Sequence, residues 1–186
     1  MRCRDESYNK LFQVMEGCVN EITYKEIAKC KKLLVIAINN ETRFKKSVEA
    51  LLKENGDMDF VIVAQPAMAD VLTKEYDKKF HVICWKGKYT LEVLDRVYES
   101  VSANDIDGFL FFSDQGIDLR EMNVLSIAGS MQKKGNVRVF SDTIGHDLYE
   151  YEKVALYIQS MKLYQEINTF IDIYMTEKAK SMGEVR

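Results

Sequence analysis

Little in this chain interrupts regular structure: there is one proline, and there are nine glycines in 186 residues. That scarcity excludes a flexible linker or a low-complexity tail and points to a single compact unit over 1–186. The four cysteines, Cys3, Cys18, Cys30 and Cys84, lie far apart with no CxxC pair. They read as free thiols of a reducing compartment, with Cys84 packed inside an apolar strand. Only two histidines occur, His81 and His146, too few and too separated for a zinc site, so no metal is expected. Charge of one sign is lacking too, because 26 basic and 29 acidic side chains are interspersed for a net charge of -3. No broad basic face is left for a phosphate backbone, and nucleic acid has no signal. No window approaches the roughly 18 apolar residues of a membrane span, and the charged opening MRCRDESYNK has no apolar segment behind it. The expectation is a cytoplasmic protein.

Several motifs are also missing. No G-x-G-x-x-G follows the first apolar strand, so the glycines that let backbone approach a pyrophosphate are absent, and no cofactor is expected. The chain contains no G-x-x-x-x-G-K-[ST] cradle and no G-x-S-x-G elbow. A phospho-acceptor aspartate at the end of the third strand is replaced by Cys84 and Trp85. An arginine six residues after Cys84, as a cysteine phosphatase needs, is replaced by Thr90.

What is present is an alternation. Leu33–Ile38 is a continuous apolar run without alternation and Gly108–Phe112 is entirely apolar, the pattern of strands buried on both faces of a parallel sheet, and Phe60–Ala64, Phe80–Trp85 and Val137–Phe140 read as the other three strands. Between them lie helical periodicities. Phe44, Val48, Leu51 and Leu52 form one buried stripe, ended by Asn55-Gly56. Pro66 starts the next helix, with Met68, Val71 and Leu72 facing inward. Leu91, Leu94, Val97, Tyr98 and Val101 make a third. The fourth, opened by an Asp118/Glu121 capping box, carries Leu119 to Met131 and stops at Gly135-Asn136. Such alternation implies right-handed crossovers and an α/β fold of three layers, a Rossmann-like or flavodoxin-like open parallel sheet of about five strands. An N-terminal helical extension occupies 1–32, the βα core 33–147, and a C-terminal helical segment 148–186.

In open parallel sheets, ligands sit beyond the carboxyl ends of the strands where the winding reverses. The five loops there carry Asn39, Asn40 and Arg43; Gln65; Lys86 and Lys88; Ser113, Asp114 and Gln115; and Ser141, Asp142, Thr143 and His146. A Rossmann order 3-2-1-4-5 brings Asn39 and Asn40 towards Ser113 and Asp114, whereas a flavodoxin order brings in Lys86 and Lys88 instead. Both orders stay open. Polar residues after strands also serve as helix caps and turn formers. Converging helix N-termini favour a small anionic or nucleotide-like ligand, and a protein partner at the same rim is the other binding reading. For catalysis the candidate is His146, which has Asp142 and Asp147 nearby in sequence to orient its imidazole.

The stretch LLVIAINNETRFKKSVEALLKENGDMDFVIVAQPAMADVL, with the later DGFLFFSDQGIDLREMNVLSIAGSM, resembles the N-terminal Rossmann-like half of heptosyltransferase-type glycosyltransferases of the GT-B fold. The resemblance lies in layout and hydrophobic pattern, covers about two-thirds of the chain, and implies a carbohydrate-related enzyme as the alternative function. The chain departs from that family in having no second half and no glycine-rich loop after the first strand, and no catalytic residue is carried over.

Two helical ends remain. Leu11, Phe12, Met15, Cys18, Val19 and Ile22 fall at the spacing of one helix stripe, followed by a short turn or helix over Tyr24–Lys32. A final pattern runs from about Leu148 to about Lys178, with Tyr151, Ala155, Ile158, Met161, Tyr164, Ile167, Ile171 and Tyr174 on one face. About 30 helical residues span roughly 45 Å, longer than a single-domain sheet is wide. The overhang is expected to pack against the N-terminal helix or against a second copy as a homodimer.

Overall fold

The computed structural model of the chain describes residues 2–37, 41–76, 80–84, 105–113, 119–135, 137–143, 145 and 147–181. In chain order these form α1 (Arg2–Glu16), β1 (Val19–Ile22), α2 (Tyr24–Ile27), β2 (Lys32–Ala37), α3 (Glu41–Glu54), β3 (Asp59–Ala64) and α4 (Pro66–Glu75). They continue through β4 (Phe80–Cys84), β5 (Gly108–Ser113), α5 (Leu119–Gly135), β6 (Arg138–Thr143), β7 (Leu148–Tyr151) and α6 (Val154–Ser181). The expected helix over Leu91–Val101 lies outside the described residues.

The strands among the described residues join one sheet in the order β1-β7-β6-β5-β2-β3-β4. The five apolar strands pair in parallel, and β7 and β1 extend the sheet antiparallel beyond β6. Counting the parallel strands in sequence gives 3-2-1-4-5, so the winding direction reverses between β2 and β5. Helices cover both faces. Phe44, Val48 and Leu51 of α3 and Leu72 of α4 pack on Leu33, Val35, Phe60, Leu110 and Phe140. On the other face Val124, Leu125 and Ala128 of α5, with Val154, Ile158 and Met161 of α6, cover Leu34, Ile36, Phe109 and Phe111. Strand residues of alternating parity therefore serve two apolar layers, which is why Leu33–Ile36, Phe60–Ala64 and Phe109–Phe112 show no polar alternate.

Seven strands replace the expected five, and both additions were read as helix. Val19 and Ile22 do not continue the α1 stripe, since α1 ends at Glu16 and Val19–Ile22 pairs with Leu148–Tyr151. Likewise Leu148–Tyr151 forms a strand before α6 begins at Val154. Both segments are four residues long, too short for periodicity to separate a strand from one turn of helix. The fifth parallel strand also runs further than its apolar stretch, taking in Ser141, Asp142 and Thr143, which were expected in a loop. Cys84 is exposed rather than packed, because β4 is an edge strand with only half-buried neighbours.

The opposite end of the sheet is held by local devices. Asp107 accepts hydrogen bonds from the Lys31 and Lys32 backbone N–H groups at 2.9 Å each, tying the start of β2 to the start of β5. A methyl group at Gly108 would come 2.7 Å from both Cys30 Sγ and Leu33 Cδ1, so the chain crossing there needs a glycine.

Candidate functional site

The reversal of winding gives the site its shape. β2 and β5 are neighbours, but α3 leaves β2 onto one face of the sheet, and α5 follows β5 onto the other. The two helices thus diverge to opposite faces beyond the carboxyl ends of these strands, the position at which open parallel sheets take ligands. Of the residues expected there, Asn39, Asn40, Lys86, Asp114, Gln115 and His146 lie outside the described residues. Ser113 is the last residue of β5 and pairs with Thr143, and its side chain is not described. Arg43 and Asp142 are described in full, and they meet.

Asp142 sits in β6 directly beside Phe112 of β5 and opposite Leu148 of β7. By strand alternation its side chain shares a face with Phe140 and points into the apolar layer beneath α3. It has no exposed surface. A carboxylate so placed costs several kcal/mol unless it is paired and hydrogen-bonded, and three residues of two helices supply described partners. Arg43, in the first turn of α3, places Nη2 at 3.3 Å and Nε at 3.4 Å from Oδ1, and Nη2 also donates to the Asp142 carbonyl. Ser47, one turn further along α3, reaches Oδ2 with its hydroxyl. Tyr24, the first residue of α2, brings its phenol to 3.1 Å from both Oδ2 and Ser47 Oγ.

The Arg43 guanidinium spans the end of β5 to reach β6, its central carbon lying 5.1 Å from the Phe112 ring centroid. That face attracts a cation and fixes the plane of the head group. Burial is the main reason why the Tyr24 phenol is pushed up to about 12; the Ser47 hydroxyl opposes the shift, and the Asp142 charge adds to it. Among the described residues the network joins the Arg43–Asp142 ion pair to the hydroxyls of Ser47 and Tyr24. It ties the first turn of α3 to the end of β6.

Neither Ser47 nor Tyr24 was a candidate from the sequence. Ser47 had a signal: Arg43 and Ser47 stand four residues apart, flanking the stripe of Phe44, Val48 and Leu51, and both are buried with it. Tyr24 had none, since it is 118 residues from Asp142 and meets it only through the added strands.

Among the described residues, no group of three or more His, Cys, Asp or Glu side chains could hold a metal ion. No described helix is long and apolar enough to cross a membrane. Comparison with known proteins finds no family model that matches the chain and no curated protein that matches its sequence.

Proposed function

We propose that the chain is a Rossmann-like binding domain whose crevice between β2 and β5 takes a small anionic or nucleotide-like ligand. The observation that carries this reading is the strand order, which reverses winding between β2 and β5 and sends α3 and α5 to opposite faces. Such a reversal leaves room beyond the strand ends for a small molecule, and the start of α3 presents N–H groups to an anion. In this reading Arg43 acts as a positioning residue. Its charge is balanced by Asp142, and its rigid side chain holds the first turn of α3 against the ends of β5 and β6. An anionic group held by backbone N–H donors at that turn supports the binding reading; the alternative is a carbohydrate-related enzyme.

The test is a thermal-shift titration with inorganic phosphate, nucleoside diphosphates, nucleotide sugars and sugar phosphates. The sugar compounds enter because of the resemblance to glycosyltransferases. A ligand at a hundred times its Kd stabilises the fold by about 2.7 kcal/mol, so a melting temperature raised by several degrees is expected for at least one class. No shift with any of them at millimolar concentration removes the reading.

A further inference from the structure

Given the binding reading above, we infer that Tyr24 is a positioning residue for the rim, and that through it the N-terminal extension sets how tightly the ends of β2 and β5 hold an anion. Tyr24 is the first residue of α2, outside the parallel core, yet its phenol reaches 3.1 Å from Asp142 Oδ2 and from Ser47 Oγ. Three segments thus meet at one carboxylate: α2 through Tyr24, α3 through Arg43 and Ser47, and β6 through Asp142 itself.

The place of this network calls for more than stability. A buried ion pair is commonly no more stable than apolar side chains of equal volume, and the same layer is filled by Phe44, Val48, Leu51 and Phe140. What the network adds is direction, because satisfied hydrogen bonds hold one geometry where apolar surfaces can slide. The geometry held here is that of the first turn of α3, which carries Arg43 and the N–H groups to which an anion would bind. Such donors weaken steeply when misaligned, so a shift of this turn is felt in anion affinity.

α2 is placed to transmit such a shift. It holds α3 at two points: Tyr24 meets Ser47 in the first half of that helix, and Asn55, just beyond its end, donates from Nδ2 to the Ala28 carbonyl at 3.0 Å. On its other side, Arg138 Nη1 donates to the Glu26 carbonyl at 2.9 Å, and β1 carries the segment into the sheet by pairing with β7. Further back, α1 packs on α6, with Phe12 edge-on to Tyr164 at 5.3 Å between ring centroids. The extension is therefore tied to the base of the sheet and to the far helical layer, and Tyr24 is where it meets the rim.

Amide chemical shifts of the full chain test this, with inorganic phosphate and ADP as probes and at a temperature where every variant is folded. Tyr24→Phe keeps the ring and removes the hydroxyl. The expected result is displaced resonances for Glu41, Thr42 and Arg43 in the free protein and an affinity for the probe reduced about fivefold or more. Met131→Ala, which opens a cavity in the opposite apolar layer, should lower the melting temperature and leave the affinity at the wild-type value. Ser47→Ala should weaken binding as Tyr24→Phe does, and the double variant should bind no worse than the weaker single one, because both hydroxyls act on one carboxylate. A Tyr24→Phe affinity within about twofold of wild type overturns the inference and leaves the binding reading standing. An equal loss in Met131→Ala does the same, since the effect is then one of stability, and additive losses in the double variant overturn the shared route through Asp142. A wild-type chain silent to both probes overturns the inference and the binding reading together.

Discussion

Strand β6 carries an arginine–carboxylate pair at each end, and the two differ in a way that separates rim from base. At its start, Arg138 is a third exposed and grips Glu150 of β7 with two bonds of 2.7 Å, from Nε to Oε1 and from Nη2 to Oε2, while Nη1 donates to the Glu26 carbonyl. At its far end, Asp142 and Arg43 are almost wholly out of water and meet at longer distances. Each arginine lies over a phenylalanine ring, Phe140 for Arg138 and Phe112 for Arg43. The first pair is a forked clamp between adjacent strands, which water can replace if it breaks. The second joins α3 to β6 inside a buried network with the hydroxyls of Ser47 and Tyr24. A polar network is therefore kept where the winding reverses, whereas the opposite end of the sheet is held by simpler means.

The sharpest way to break this contrast is Asp142→Ala. It removes the carboxylate partner of a buried guanidinium and is expected to cost about 3–5 kcal/mol, a large part of the stability of a domain this size. Urea unfolding gives the value, and a loss below 1 kcal/mol would show that water already reaches the pair. A matched apolar replacement, Arg43→Met with Asp142→Leu, should recover most of that loss, because no unpaired charge is left behind.

Glu150→Ala at the other end should cost less, about 1–2 kcal/mol by the same measurement, since the freed Arg138 can turn to solvent. A loss equal to that of Asp142→Ala would erase the distinction between the two ends.

A smaller effect comes from pH. In the unfolded chain Tyr24 releases its proton near pH 10, and in the fold it holds that proton up to about 12. Between these values the folded state binds more protons, so the stability owed to the neutral phenol is complete below pH 10 and lost as pH rises through 12. Tyr24→Phe is expected to be less stable than wild type at pH 8, with the gap narrowing above pH 10. A gap of constant size up to pH 12 would place the phenol outside the network. At the bottom of the scale, Glu75→Ala should leave the urea midpoint unchanged, because the Glu75 pairing with Lys45 is solvent-exposed and Lys45 keeps Glu41 as a second partner.

The same contrast explains what could be read from the sequence. The central parallel strands were legible because burial on both faces demands unbroken apolar runs such as Leu33–Ile36 and Phe109–Phe112. Their order was not, since connection lengths alone allow two windings. β1 and β7 were hidden because four-residue segments with one or two apolar positions fit a helix turn as well as a strand. Asp142 marked the limit most clearly. A buried aspartate ends an apolar run and so imitates a loop, and only its partners Arg43, Ser47 and Tyr24, 95 or more residues away, make the strand position tenable. The strand-end rule placed both Arg43 and Asp142 on the rim, whereas their pairing and the hydroxyls that complete it lay outside that rule.

The proposal that the rim between β2 and β5 is the binding surface is tested most directly by amide chemical shifts in a nucleoside diphosphate titration. The expected result is a saturable set of shifts at Glu41, Thr42 and Arg43 and at the end of β5 around Ser113, with Arg138, Glu150 and the exposed face of α6 unmoved. Shifts clustered at the Arg138 end or along α6, with the first turn of α3 silent, would contradict it.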